Sequence, residues 1–396
     1  MTILAHRDYG PDEQHDADVV VIGTGAGGAV VGAELAEAGH DVVFVEEGAY
    51  HPTSSFNPYL EETIPRLYRD AGGTIIMGRP PIPYAEGRCV GGSTVVNGGM
   101  TWRPPEKVLA EWEEITRQPD LGPKAMAPLF DRVEARIHAK PQNPVSIGED
   151  NRIMEEGARR LGWRYEPNDR AQDRCVGSNQ CVTGCPTGAK QSTLVSYMPR
   201  AFSKGARCLT EVRAQGLWIE NGRCVGVIGK AVNPRTREED IGVRVRAKAV
   251  VVACGAVQTP YLLLGHRVGR PSRQLGKNFL CHPNTKVVAL YPSDIYAWQG
   301  VSQGGQIREF RDEGILLAEN AVPPGTAAAQ IPFLGNDAMD LMKRYNAMAM
   351  TGVLVEDSRT GKVTRGLGGP MAKYSITRYD HARFLRGVRR LATLHF

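Results

Sequence analysis

Three glycines near the N-terminus, Gly23, Gly25 and Gly28, have the spacing G-x-G-x-x-G, which suits the binding of phosphate groups. Between a strand and a helix, the first glycine permits a tight turn, the second lets the backbone approach a pyrophosphate, and the third allows close helix–strand packing. An acid, Glu46, follows near the roughly 20-residue spacing expected for a group that binds a ribose hydroxyl. This pattern predicts recognition of a dinucleotide.

Two strands and a helix must position these residues. The apolar run 19–22 predicts a buried parallel strand, the alanine-rich run 29–38 predicts a helix that ends at Gly39, and 42–45 predicts a second strand. The helix N-terminus would offer free N–H groups and a partial positive charge to a phosphate. This unit alone does not separate NAD from FAD, although the acid disfavours NADP. The alternative is a glycine-rich turn in another α/β unit.

A second stretch with few bulky side chains, EGRCVGGSTVVNGGM, spans residues 86–100. Gly91 and Gly92 can adopt conformations closed to other residues and can expose consecutive N–H groups, which makes a nest suited to anions. Ser93 adds a hydroxyl donor, and Arg88 is expected to neutralise phosphate charge or to pair with a nearby acid. A simple NAD site needs no second glycine-rich loop, whereas a cofactor that extends to a flavin ring can use one. The alternative is a plain hairpin turn.

The stretch GRCVGGSTVVNGGM resembles the first signature of the glucose–methanol–choline oxidoreductases, a family of FAD-dependent alcohol oxidases and dehydrogenases. The stretch GAVQTPYLLLGHRVG, residues 255–269, resembles the second signature and departs from it at His266 and Arg267, where the family usually has Ser-Gly. The segment LGKNFLCHPN, residues 275–284, is similar to the family segment that follows. Because these motifs occur in the right order, the chain is identified as a member of this family over most of its length to about Asn284.

The resemblance implies roles for individual residues of the cofactor site. Glu46 would bind the adenosine ribose, and Val212 would meet the adenine through its backbone, although ordinary strand core is the alternative for Val212. Asn97 and Met100 would lie near the flavin ring. The FAD pyrophosphate would be held by Gly23, Gly25, Gly28, Gly92 and Ser93, with Thr24, Arg88 and Gly91 in the same cofactor site.

Three cysteines, Cys175, Cys181 and Cys185, are spaced C-x5-C-x3-C, and Pro186 follows the last. Thiolates at such spacings can ligate iron–sulfur clusters, and the resemblance adds that some dehydrogenases of the family bind a three-iron cluster in a cysteine-rich insertion here. That cluster passes electrons from the flavin to a cytochrome. A four-thiolate cluster or a structural zinc needs a fourth ligand, and none lies nearby. An iron–sulfur cluster, a zinc ion and a loop without a cofactor therefore all stay open.

The resemblance also implies a catalytic histidine, because the family reaction moves a hydride to the flavin while a base takes the hydroxyl proton. That histidine is expected beyond Phe396, since no segment of the chain matches its surroundings, and no catalytic residue is assigned. His282 precedes a proline as it often does in the family, and we expect it to be structural or to line the pocket. We expect His381 and His395 to be structural helix residues.

Composition places the chain among soluble globular proteins, with 42% hydrophobic and 23% charged residues. The net charge of +5 is too diffuse to indicate nucleic acid as a partner. The polar N-terminus lacks the features of a signal peptide, and no apolar run approaches the roughly 20 residues of a membrane helix. A cytoplasmic location is expected, where most cysteines stay reduced.

Several local patterns predict further elements. Asn221-Gly222 between alternating apolar residues indicates a hairpin. The run 244–256 predicts an amphipathic strand, a short break and a buried strand. The run 335–350 predicts a helix with Met342, Tyr345 and Met348 on one stripe, and 352–366 predicts a hairpin.

The sequence therefore predicts an α/β protein, in which a Rossmann-like FAD/NAD(P)-binding domain with a central parallel sheet is interleaved with an α+β substrate domain that has an antiparallel sheet. The expected divisions are 1–135 and 201–284 for the FAD-binding domain, 136–200 for a helical and cysteine-rich insertion, and 285–396 for the substrate domain. The expected reaction is oxidation of a bulky or apolar alcohol to a carbonyl by hydride transfer to FAD, with an unknown electron acceptor. The alternatives are a flavin-binding fragment that lacks the base and an electron-transfer subunit with an iron–sulfur cluster.

Overall fold

Strands and helices alternate along the chain in the computed structural model, which describes residues 2–266, 268, 272–358 and 361–396. Arg267 and Gly269 of the second signature lie outside the described residues. The strands, in chain order, are β1 (Ile3–Leu4), β2 (Asp12–Ile22), β3 (Val42–Val45), β4 (Ile75–Ile76), β5 (Ile82–Pro83), β6 (Ala139–Pro141), β7 (Tyr165–Pro167), β8 (Asp169–Ala171), β9 (Arg207–Leu209), β10 (Val212–Glu220), β11 (Arg223–Val232), β12 (Glu239–Val252), β13 (Lys277–Phe279), β14 (Asn284–Leu290), β15 (Gly305–Ile307), β16 (Ile315–Glu319), β17 (Met348–Val355), β18 (Gly361–Gly366) and β19 (Gly369–Lys373). The helices are α1 (Ala26–Glu37), α2 (Leu60–Leu67), α3 (Glu106–Thr116), α4 (Pro123–Arg136), α5 (Glu149–Arg160), α6 (Thr193–Ser196), α7 (Met198–Ser203), α8 (Gly255–Gly265), α9 (Pro324–Gln330), α10 (Gly335–Met342) and α11 (Arg378–His395).

A seven-stranded sheet with the order β1-β9-β3-β2-β12-β11-β10 forms the centre of the first half of the fold. Its first five strands are parallel, and β11 and β10 add an antiparallel edge. Val20, Val21 and Phe44 are fully buried, because both faces of the parallel part are covered. Helices α1, α6 and α7 pack on one face, and β10, β11 and α8 pack on the other. Helix α1 packs so closely that a Cβ on Gly32 would overlap the ring of Phe44. The predicted Rossmann-like sheet is confirmed.

The boundaries of the first strand and helix differ from the prediction. Strand β2 begins at Asp12, since its polar first half pairs in register with β12, where Asp12 lies opposite Gly242 and Ala17 opposite Ala247. Strand β12 runs through the expected break as one element. Helix α1 begins at Ala26, three residues earlier than expected.

The hairpin between β10 and β11 is confirmed. Its two turn residues, Asn221 and Gly222, have φ of 50° and 77°. Positive φ at both positions gives a turn whose twist matches that of the strands, and Asn-Gly is the preferred pair for it.

A five-stranded antiparallel sheet with the order β14-β17-β16-β15-β7 forms the second half, as predicted for a substrate domain. Helix α11 packs on this sheet with Phe384 and Leu391, and a Cβ on Gly387 would overlap Val353. Strand β7 comes from the expected insertion 136–200, so this segment also contributes to the substrate sheet.

Two predictions for the C-terminal third are wrong in detail. Residues 352–366 do not form a hairpin, because β17 pairs with β14 and β16 whereas β18 pairs with β13 and β19; Arg359 and Thr360 lie outside the described residues. Helix α10 ends at Met342, and Met348 begins β17, so the expected stripe is not helical. Its residues nevertheless pack together in one apolar cluster. Among the described residues, no helix combines the length and the apolar character that crossing a membrane requires.

The pH dependence of folding stability tests the burial of His395 at the end of α11. Its Nδ1 and Nε2 lie 3.0 Å from the hydroxyls of Tyr291 and Thr351, and burial lowers the pKa of His395 to about 4. The unfolded chain binds this proton near pH 6.5, so the stability from the neutral ring is present above pH 6.5 and is lost as pH falls toward 4. We expect His395→Gln to lose about 1 kcal/mol less stability than the wild type between pH 7 and pH 5, as measured by thermal unfolding. His381→Gln, an exposed histidine on α11, should follow the wild-type profile, and an identical profile for His395→Gln would contradict the assignment.

Candidate functional site

The glycine-rich turn between β2 and α1 requires its glycines for steric reasons. Gly23 has a φ of 98°, and a Cβ on it would lie 2.5 Å from the carbonyl oxygen of Ala253, two residues before the second signature. A Cβ on Gly28 would overlap the carbonyl of Gly23. Gly25 precedes α1 without any capping side chain, and Ala26 is exposed. The first N–H groups of α1 are therefore open to an anion.

The second glycine-rich loop lies directly on this turn. The N–H of Gly91 donates to Thr24 Oγ1 at 3.0 Å, and a Cβ on Gly92 would lie 2.9 Å from the Cα of Gly25. Gly91 and Gly92 have positive φ of 97° and 53° and lead into a 3₁₀ turn (Gly92–Thr94) instead of a paired strand, so they do not form a plain hairpin turn. The expected nest of free N–H groups is not formed, because the N–H of Gly91 is used by Thr24 and the N–H of Gly92 donates to the Cys89 carbonyl oxygen at 2.7 Å. Ser93 is exposed beside them. Two loops that are distant in sequence thus form one concave backbone surface.

Thr193 is a residue of this junction that the sequence analysis missed. Its hydroxyl lies 3.0 Å from the carbonyl oxygen of Thr24 and 3.2 Å from that of Gly91, so it can donate to either. The side chain therefore holds both glycine loops from a third segment of the chain. The spacing of residues gives no signal for it.

Glu46 ends β3 as predicted and is buried beside the turn. Its carboxylate accepts hydrogen bonds from the N–H and hydroxyl of Thr24 at 3.0 and 2.7 Å and from the N–H of Gly48 at 2.9 Å. Burial raises the pKa of Glu46, although these donors oppose the change. Val212 is buried next to it and donates its N–H to the Glu46 carbonyl at 2.9 Å. The contact of Val212 with adenine stays a prediction, and its N–H is already used.

Arg88 is buried, and its Nε has no hydrogen-bond partner among the described residues. The acid that could have paired with it, Glu86, instead binds Arg69, with 3.0 Å between Arg69 Nε and Glu86 Oε2. A buried guanidinium N–H without an acceptor favours a nearby anion. The bare backbone of the two loops and this unpaired donor both fit the pyrophosphate of FAD.

A buried lysine, Lys190, holds the backbone of the segment that contains Asn97 and Met100. Lys190 Nζ donates to the carbonyl oxygens of Val95, Asn97 and Cys181 at 2.6, 2.8 and 2.6 Å. Burial lowers the pKa of Lys190 to about 8. Met100 forms a bridge with Arg170 of β8. Lys190 thus joins the loop expected beside the flavin ring to the cysteine segment, a role that the sequence analysis did not predict.

The three cysteines lie around one shallow cavity, together with Arg170 and Lys190. All are free thiols, and Cys181 Sγ lies 3.1 Å from Arg170 Nη2. Within the described part of the chain, no three His, Cys, Asp or Glu side chains are grouped so that they could hold a metal ion. The side chains present therefore do not fit an iron–sulfur cluster or a zinc ion, and this geometry favours a loop without a cofactor.

The fold and the two converging loops define an FAD-binding oxidoreductase. The family model for GMC oxidoreductases matches residues 64–284, and a model for an FAD binding domain matches residues 18–56. The chain belongs to the GMC oxidoreductase family, and FAD is its cofactor.

Proteins of known sequence or structure agree with this assignment. An uncharacterised GMC-type oxidoreductase of Mycobacterium tuberculosis is 34% identical over 96% of this chain and 60% of its own length. A long-chain-alcohol oxidase of Arabidopsis thaliana is 28% identical over 98% of this chain and 54% of its own length, so the chain spans a little over half of these relatives. The crystal structure of pyridoxine 4-oxidase from Mesorbium loti has the same fold, with a TM-score of 0.71 and 16% identity over 95% of this chain and 80% of the other.

Proposed function

We propose that this chain belongs to an enzyme that oxidises an alcohol to a carbonyl compound. The observation that carries the proposal is the convergence of Gly91 and Gly92 on Thr24 and Gly25, which forms the cofactor cradle. The names of relatives support the reaction class, since one is a long-chain-alcohol oxidase. When bound, FAD accepts a hydride from a substrate carbon.

The residues of the chain would then hold and orient the FAD. The two glycine loops and the N-terminus of α1 would hold the pyrophosphate, Arg88 would offset its charge, and Glu46 would face the ribose. Lys190 would keep Asn97 and its neighbours in one conformation beside the ring. The base that takes the hydroxyl proton is not assigned to a residue of this chain.

Two related sequence similarities support the proposed substrate class. The relative with 28% identity is named for long-chain alcohols, and the segment after the cysteines, GAKQSTLVSYMPRA, looks like that of members of the family that act on long-chain alcohols and sterols. We therefore propose a bulky or apolar alcohol. The divisions 1–135, 136–200, 201–284 and 285–396 remain our proposed domain boundaries.

An anaerobic titration of the purified protein tests the function. We expect a flavin absorption spectrum that bleaches on addition of a long-chain primary alcohol and changes far less with ethanol. Bound flavin that no alcohol reduces would contradict the proposed reaction and favour the flavin-binding fragment. Protein that cannot bind added FAD would contradict the cofactor site itself.

A further inference from the structure

Gln303, at the rim of the substrate sheet, lies against the loop that is expected beside the flavin ring. A Cβ built on Gly98 would overlap Gln303 Oε1, so the side-chain amide of Gln303 touches the backbone of Gly98. Gln303 is half-buried, and its amide has no hydrogen-bond partner among the described residues. The amide oxygen therefore lies against Gly98, and the amide nitrogen lies beside it without an acceptor among the described residues.

The backbone of Gln303 is held in an unusual conformation. Its φ is +60°, in the left-handed region that residues with side chains rarely adopt. Its N–H donates to Glu319 Oε2, and its carbonyl oxygen accepts from Asn168 Nδ2 at 2.8 Å and from Arg170 Nη1 at 3.4 Å. Such conformations persist where the surroundings over-determine them, and they cluster at ligand sites.

The groups that hold Gln303 are themselves deeply buried. Glu319 and Asn168 are fully inaccessible, and Arg170 is 2% exposed. Asn151 Nδ2 lies 3.3 Å from Glu319 Oε2 and 3.2 Å from Asp150 Oδ1. Burial and the neighbouring Glu319 raise the pKa of Asp150, so one of the two acids holds a proton. This buried polar cluster fixes the position of one half-exposed amide.

We propose that Gln303 is a contact residue of the active site, whose amide hydrogen-bonds a polar atom on the flavin side of Gly98. That atom belongs either to the polar edge of the flavin ring or to the oxygen of the alcohol. The inference rests on the proposed function. A neutral amide suits both the hydroxyl of an alcohol and the carbonyl of its product, because it donates and accepts without a change of charge.

The test uses Gln303→Gly in the FAD-loaded protein. Glycine removes the amide but favours positive φ, so the variant should fold as well as the wild type. We expect a flavin reduction rate about 10-fold lower at limiting alcohol. A shift of the flavin spectrum or reduction potential without alcohol assigns the contact to the ring. A rise in the apparent Kd for the alcohol, with an unchanged spectrum, assigns it to the substrate.

Asn221→Gly is the matched control, since it removes an amide at another position with positive φ, in an exposed turn. Asn221→Gly should leave the flavin reduction rate, the flavin spectrum, the reduction potential and the apparent Kd for the alcohol unchanged. The proposal is overturned if Gln303→Gly keeps the spectrum, reduction potential, FAD affinity and reduction rate within twofold of the wild type. If the wild type binds FAD but no alcohol reduces it, the proposed function fails, and the spectrum and potential of Gln303→Gly alone decide the inference.

Discussion

Replacing Gly92 by valine should abolish FAD retention, with a rise in the Kd for FAD of at least about 100-fold, or roughly 3 kcal/mol. A Cβ at this position would lie 2.9 Å from the Cα of Gly25, where only backbone is available to move. The φ of 53° at Gly92 adds strain for any β-branched residue. The two loops would separate, so the second loop would no longer lie against the N-terminus of α1, where the phosphate is expected. Reconstitution of the apoprotein with FAD, followed by flavin fluorescence, measures the effect.

Gly39→Val is the matched control for the strain at Gly92. Gly39 has a φ of 91°, but a Cβ there meets nothing within 4 Å. This variant should therefore lose stability through its backbone while it keeps the wild-type affinity for FAD. If Gly92→Val bound FAD within threefold of the wild type, the convergence of the two loops would not be the basis of cofactor binding.

The first glycine turn could be predicted from sequence because the strand and the helix that it joins are its neighbours in the chain. Gly23 and Gly28 are required by one turn, whose strand and helix neighbour them in the chain. The residues that join the cradle to the rest of the fold could not be predicted in this way. Thr193 reaches Thr24 across 169 positions, and Lys190 reaches Val95 across 95. Such contacts depend on how distant segments pack together, so neither the hydrophobic periodicity nor the spacing of motifs predicts them.

Hydrophobic periodicity also failed to predict strands that are formed by backbone pairing and not by burial of an apolar face. Residues 12–17 carry no apolar run, yet they extend β2, because their N–H and C=O groups pair with β12. Residues 165–167 were expected in an insertion, but they pair with β15 at the edge of the substrate sheet. Both elements are set by a partner strand more than 100 residues away. A pattern of hydrophobic residues cannot identify such a partner.

The cysteine spacing could not decide among the three alternatives that it left open. Cys175, Cys181 and Cys185 have a spacing that metal sites use, but spacing does not fix the direction of a side chain. The Cys185 sulfur lies 3.4 Å from the Thr187 hydroxyl and the N–H of Lys190. Although burial opposes it, these hydrogen bonds lower the pKa of the Cys185 thiol. In the folded chain, the Cys185 sulfur is therefore already contacted by polar protein groups.

Arg69→Met should weaken both the fold and FAD binding. The side chain of Arg69 forms ion pairs with one acid just after β3 and with another at the start of the second glycine-rich loop. Its guanidinium lies 2.8 Å from Glu47 Oε2, next to Glu46, and 3.0 Å from Glu86 Oε2, at the start of the second loop. All three side chains are at most 15% exposed. Loss of one partner of a buried ion pair costs about 3 kcal/mol, since a buried charge stays uncompensated. We expect that loss in thermal or urea unfolding and about a 10-fold rise in the Kd for FAD.

The pH dependence of this variant separates lost charge pairing from lost packing. Glu47 keeps its contact with Arg213, whereas Glu86 keeps the side-chain amide of Gln258 as its hydrogen-bond partner within the described part of the chain. Burial already raises the pKa of Glu86 although Arg69 opposes it, so removal of Arg69 raises it further. A carboxyl with a raised pKa in the folded state costs stability as pH rises through that range. Arg69→Met should therefore be closer to the wild type at pH 5.5 than at pH 8.

Arg103→Met removes a similar pair of ion contacts at the surface. Arg103 is 41% exposed and contacts Asp131 at 2.6 Å and Glu134. Exposed pairs contribute at most about 1 kcal/mol, so this variant should retain its FAD affinity and most of its stability. If Arg69→Met were no worse than Arg103→Met at pH 8, the buried charges would not couple the loops. The packed backbone of the glycines, with the hydrogen bonds from Gly91 and Thr193 to Thr24, would then be sufficient to hold the cradle.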